Sequence, residues 1–141
     1  MNNSTEKLLQ QAIETHREGR LDEAETIYRA VLTREPKHSL ASHNLGELLA
    51  GQNNIDEAVS LFQTAIEAEP DSEQFWLSFI DALIKGERYD EARSAIEEGK
   101  EQGIDADKLN GVKDLISSSF NFPKLVKSII ESYTAGNLPE T

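Results

Sequence analysis

The feature that most restricts how this chain can fold is a repeat. GRLDEAETIYRAVLTREP, from Gly19 to Pro36, returns 34 residues later as NNIDEAVSLFQTAIEAEP, from Asn53 to Pro70. Asp22, Glu23, Ala24, Glu35 and Pro36 come back unchanged as Asp56, Glu57, Ala58, Glu69 and Pro70, and Tyr28 comes back as Phe62. A third copy at the same interval keeps Asp90, Glu91 and Ala92 before loosening into ARSAIEEGKEQGI. A period of this length marks stacked supersecondary units, each of which needs a neighbour to cover its apolar face.

The segments ahead of each echo have helical spacing. Leu8, Ala12 and Thr15, with Leu9 and Ile13 beside them, predict a helix from about Ser4 to Glu18, with Asn3 and Glu6 spaced as a capping box and Gly19 as its stop. A second helix is expected over Asp22 to Arg34, opening on two acids that suit the positive end of a helix dipole and ending before Pro36. The next pair is expected at Ser39 to Gly51 and Asp56 to Ala68, and the third at Ser72 to Lys85 and Tyr89 to Gln102, with Asp71 and Gln74 as a wider capping box. Gly46 costs a helix about 1 kcal/mol relative to alanine. Its presence therefore predicts close approach of the partner helix, near Ala58. Trp76, Phe79, Ile80 and Leu83 form one unbroken stripe, which assigns Trp76 to the core rather than to a ligand site. Phase alone does not assign Phe75.

Leu45, Gly46, Leu49, Ala58, Phe62, Ala65 and Pro70 in the second copy, Ala24, Tyr28 and Pro36 in the first, and Trp76 in the third together resemble the tetratricopeptide repeat. The third copy departs at Ile80, Gly99 and Ile104, where a small residue, an alanine and a proline are usual. The resemblance implies an all-α, right-handed α-solenoid of about three helix-turn-helix repeats at 5–38, 39–72 and 73–106. Residues 107–141 would supply a capping helix, about Asp105 to Ser118, and a further helix or incomplete repeat. That last helix is expected from Pro123 through Leu125, Val126, Ile129, Ile130 and Tyr133. Gly136, Leu138 and Glu140 echo Gly19, Leu21 and Glu23, the turn into a second helix, so Thr141 reads as a domain boundary.

Composition narrows the partners. A net charge of -12 disfavours nucleic acid and anionic membrane surfaces, whose affinity comes from lysine and arginine. It permits a basic partner, although solvated, glutamate-rich outer faces are the simpler source of such charge. No apolar run approaches a membrane span and the start lacks the regions of a signal peptide; with no cysteine, a cytoplasmic location is the expectation. His16, His38 and His43 have no second ligand at metal-site spacing, and His43 with Glu47 reads as a surface or groove pair. Asp105 and Asp107 begin no calcium loop. Neither an enzyme site nor a cofactor is expected.

What remains is a groove. In such arrays the first helices line the concave side. By phase the candidate partner-binding residues are Leu9, Ile13 and Arg17, then Leu40, His43, Asn44 and Glu47, then Gln74, Leu77, Asp81 and Ile84. Their mixture suits a protein or peptide segment. The competing reading for Leu9, Ile13, Leu77 and Ile84 is packing against neighbouring helices. Chaperone-binding members of the family hold a peptide carboxylate with Lys, Asn and Arg. The matching places here are Leu9, Ile13, Asn44, Gln74 and Ser78, of which only Asn44 agrees, so that activity is not expected. Two other roles follow. The stretch SEQFWLSFIDALIK is similar to the N-terminal repeat regions of bacterial glycosyl-, sulfo- or methyltransferases, which would make the array an acceptor-recruiting region for a catalytic domain beyond Thr141. Self-association through Ile129, Ile130 and Tyr133 is the other.

Overall fold

The computed structural model describes residues 3–114, and what is expected of the chain from Leu115 to Thr141 lies outside them. Six helices follow in order: α1 (Asn3–Arg17), α2 (Leu21–Arg34), α3 (Ser39–Gly51), α4 (Ile55–Ala68), α5 (Glu73–Lys85) and α6 (Tyr89–Glu101). A seventh helical segment, α7, occupies 106–114. Each helix packs on the next through α6, and beyond that α3 meets both α1 and α5. The described residues therefore form an all-α solenoid, in which helices meet only their near neighbours.

The turns inside the three pairs share one device. Gly19 (φ 81°), Asn53 (φ 64°) and Glu87 (φ 60°) stand 34 residues apart, and each takes the left-handed conformation that reverses the chain. The ends of the second helices differ. Glu35 and Glu69 leave α2 and α4 extended, at φ −133° and −137°, as a residue before proline prefers. The third pair has no proline there. Gly103 turns at φ 89° instead, and the Ile104 amide donates back to the Gly99 carbonyl at 3.0 Å.

The residues that depart from the repeat pattern are compensated. Ile80 and Ile104 are buried, and Leu109 of α7 reaches into the space beside Gly99 that an alanine methyl would crowd, 3.2 Å from where that methyl would sit. α7 is capped by Asp105, whose carboxylate accepts from the Asp107 amide at 2.8 Å.

Three local expectations need correction. α1 already includes Asn3, so that residue is not outside the helix as a cap would be. α5 is capped by Ser72, which accepts from the Phe75 amide, rather than by Asp71. The group that approaches Gly46 is the Phe62 ring, not Ala58: a methyl added at Gly46 would lie 2.6 Å from Phe62 Cε1.

Trp76 belongs to the core, 3% exposed and edge-on to Phe79. Its indole N–H donates to the Pro70 carbonyl at 2.7 Å, tying the start of α5 to the end of the preceding pair. Across the second helices, Arg29 of α2 grips Glu57 of α4 with two bonds of 2.8 and 3.1 Å.

Candidate functional site

The candidate residues sit on α1, α3 and α5, the helices that adjoin one another along the array. They divide by accessibility. Arg17, Leu40, Glu47, Gln74 and Asp81 are exposed, and Ile13, Asn44, Leu77 and Ile84 are half-buried. Leu9 and His43, at 8% and 2% exposure, belong to the interior and leave the accessible wall. Leu9 is part of the apolar core, and Ile13, Leu77 and Ile84 pack partly against it, so packing and display are combined in those three side chains. Leu40 is 40% exposed and is the most accessible apolar side chain among these candidates.

His43 is not a surface partner of Glu47. Its ring stacks on Phe75 of α5, with centroids 4.7 Å apart, and tilts against Phe62. Phe75 is thereby assigned to the interior, 6% exposed. The neutral imidazole donates from Nδ1 to Asn44 Oδ1 at 3.4 Å and accepts at Nε2 from the Ser78 hydroxyl at 2.9 Å. The Asn44 amide faces the Tyr28 hydroxyl, which pairs with His16 Nδ1 at 3.0 Å. A chain of polar groups thus runs Ser78, His43, Asn44, Tyr28, His16, crossing from α5 through α3 and α2 to α1. It satisfies side chains that burial would otherwise leave unpaired. It also engages Asn44 and Ser78, two of the five places where chaperone-binding repeats would hold a carboxylate. Sequence reasoning weighed Ser78 only as a place for a carboxylate and missed its bond to His43, which only the register between two repeats creates.

Burial lowers the pKa of His43 below its ordinary value, against the opposing pull of Glu47, whose Oε1 lies 3.5 Å from Nε2, and of Asn44. Above about pH 6.5, the ordinary imidazole value, folded and unfolded chains both hold it neutral. As pH falls below that, the unfolded chain binds a proton that the folded chain refuses, and stability is lost until the depressed folded pKa is passed. Glu57 and Glu91, held below the ordinary 4.5 by hydrogen bonds from Arg29 and Arg88, lose their contribution only at lower pH. We expect the melting temperature to fall more between pH 7.5 and 5.5 for the native chain than for His43→Gln. Equal falls, read by circular dichroism, would remove His43 as the cause.

No group of three side chains able to hold a metal ion is present among the described residues, and no helix there is long and apolar enough to cross a membrane.

Several solved structures share this architecture. The TPR2B domain of yeast Sti1, in complex with pHsp70, superposes with a TM-score of 0.73 at 18% identity, covering 83% of this chain and 98% of that one. The type III secretion chaperone SycD of Yersinia enterocolitica, with a peptide of the translocator YopD, gives a TM-score of 0.68 at 17% identity over 90% of this chain and 97% of that one. An O-GlcNAc transferase of Thermobaculum terrenum gives 0.62 at 23% identity over 70% of this chain, which spans only 19% of the transferase. At these identities the likeness is one of fold. No curated protein sequence matches the chain. The sequence profile of the tetratricopeptide repeat matches residues 15–76 and 49–107, most of the described helices, and the chain belongs to that family.

Proposed function

We propose that this chain is a non-catalytic protein-interaction scaffold that receives a peptide or protein segment along α1, α3 and α5. The observation that carries the reading is the composition of the accessible wall. Exposed Leu40 and half-buried Ile13, Leu77 and Ile84 offer apolar contact, while exposed Glu47 and Asp81 offer negative charge on two adjacent helices. Lys85 pairs with Asp81 at 3.1 Å from a position where both side chains remain in water, so the carboxylate stays available to a competing cation. A segment with apolar anchors and basic residues complements this wall. A peptide ending in acids, such as the SRMEEVD bound by a first TPR domain of Spaghetti, does not. The fold supports the reading, since Sti1 TPR2B and SycD were solved with protein or peptide partners.

The test is charge reversal. Glu47→Lys with Asp81→Lys should abolish binding of a partner recovered with the native chain, while the helical circular dichroism is unchanged. Undiminished binding would move the site away from this wall. The second reading, an acceptor-recruiting region of a larger transferase, draws on the likeness to the O-GlcNAc transferase and is decided by the reading frame downstream of Thr141.

A further inference from the structure

A different surface lies where α4, α5 and α6 meet. A cleft of about 380 Å³ is floored by Ile66, Trp76, Phe79 and Ala95 and walled by Gln63 and Ser94 with the carboxylates of Glu67, Asp90, Glu91 and Glu98. Among the described residues no basic side chain lines it. Asp90 and Glu91 are paired outward, with Arg93 and Arg88. Glu67 and Glu98 have no ion-pair partner among the described residues.

The molecule itself indicates what this cleft lacks. One repeat earlier, the same junction between second helices is closed by Arg29, whose guanidinium is held by Glu57 in two bonds of 2.8 and 3.1 Å and by Glu25 at 2.9 Å. Moving on by one period, Arg29 becomes Gln63 and Glu25 becomes Val59, while Glu57 becomes Glu91, which Arg88 holds in two bonds of 2.8 Å. Leu61 becomes Ala95, which opens volume over the Trp76 and Phe79 floor. Thr33 and Thr64 become Glu67 and Glu98. The guanidinium that closes the earlier junction is lost, two carboxylates are added over the cleft and a large side chain is removed, while the arginines that replace Asn54 and Val59, Arg88 and Arg93, pair with Glu91 and Asp90.

We propose that this cleft binds an arginine side chain presented by a basic segment of a partner protein, its guanidinium meeting the carboxylates of Glu67 and Glu98 and its stem lying on Trp76 and Phe79. Arginine fits better than lysine because its planar fork meets carboxylates in pairs and stacks on aromatic rings. The chain's own residues 115–141 contain Lys124 and Lys127 but no arginine. The proposal does not depend on the wall of α1, α3 and α5, since none of that wall's candidate residues lines this cleft.

The experiment uses the full chain and a fluorescein-labelled, amidated peptide of alternating apolar and arginine residues, with anisotropy read at low ionic strength, where exposed charge is least screened. The control peptide carries citrulline, neutral and similar in shape, in place of each arginine. The arginine peptide should bind at least about tenfold more tightly than the citrulline peptide, and Glu67→Gln with Glu98→Gln should remove most of that difference. Gln63→Arg should also remove it, because it puts an internal guanidinium into the cleft beside Glu67 and Glu98, and should raise the melting temperature by tying α4 to α6. That gain shows the variant is folded. Equal binding of the two peptides, an undiminished difference in the Glu67/Glu98 variant, native-like binding by folded Gln63→Arg, or no binding by the native chain each overturns the proposal.

Discussion

Trp76→Ala should cost about 3–5 kcal/mol, the range for removing a large aromatic ring from a packed core. The site has little freedom to collapse. The ring is 3% exposed, touches Phe79 edge-on, and lies about 3.5 Å from the place where a Gly99 methyl would be. Leu109 of α7 reaches the same spot from the other side, so emptying it removes the contact that joins α5, α6 and α7. The indole bond to the Pro70 carbonyl is lost too, though Pro70 is exposed and water can replace the donor. In a solenoid each pair is stabilised mainly by its neighbours, so the damage should concentrate in the third pair. Thermal denaturation followed by circular dichroism should show a melting temperature lower by about 12 °C or more and a less cooperative transition. Trp76→Phe, which keeps most of the packing and loses the N–H, should fall between. A Trp76→Ala chain within about 1 kcal/mol of the native one would mean that the third pair is anchored elsewhere.

The helix pairs were legible because their signals are local. Gly19 and the Glu35–Pro36 and Glu69–Pro70 pairs punctuate the chain by backbone conformation, and apolar residues at helical spacing supply the stripes between them. What could not be read were relations between repeats. His43 has the phase of a groove residue, yet the next repeat brings Phe75 over its ring and Ser78 to its Nε2, and it becomes interior. The polar chain from Ser78 to His16 likewise exists only once three first helices are in register. The cleft beside Trp76 was overlooked for a related reason: its signal is the loss of Arg29 and Leu61 at one junction, which appears only when equivalent positions are compared across the interface that they share. Cap positions failed on a smaller scale, since Asp71 and Ser72 are both good N-cap residues and the backbone chose the second.

Gly46→Ile should destabilise the chain by about 3 kcal/mol, the upper end of the usual cost of forcing extra carbon into a filled core. On helix propensity alone the substitution would help, because glycine is the poorest ordinary residue in a helix interior. Packing reverses the sign. The first carbon added would already be 2.6 Å from Phe62 Cε1 and 2.9 Å from Cδ1, and the ring is 1% exposed, with core on its other sides. The repeats themselves show which combinations this site accepts. Position 46 and position 62 are glycine and phenylalanine in the second pair; the equivalent residues are Ala12 and Tyr28 in the first and Ile80 and Ile96 in the third, all of them buried. A small residue goes with an aromatic ring, and a branched aliphatic residue goes with another. Ile80, an apparent departure from the family pattern, follows from Ile96. The double variant Gly46→Ile with Phe62→Ile should therefore recover much of what each single change loses, with a coupling of about 1–3 kcal/mol in a double-mutant cycle by urea denaturation. If the two losses simply add, the Gly46–Phe62 contact is not what decides how closely α3 and α4 pack.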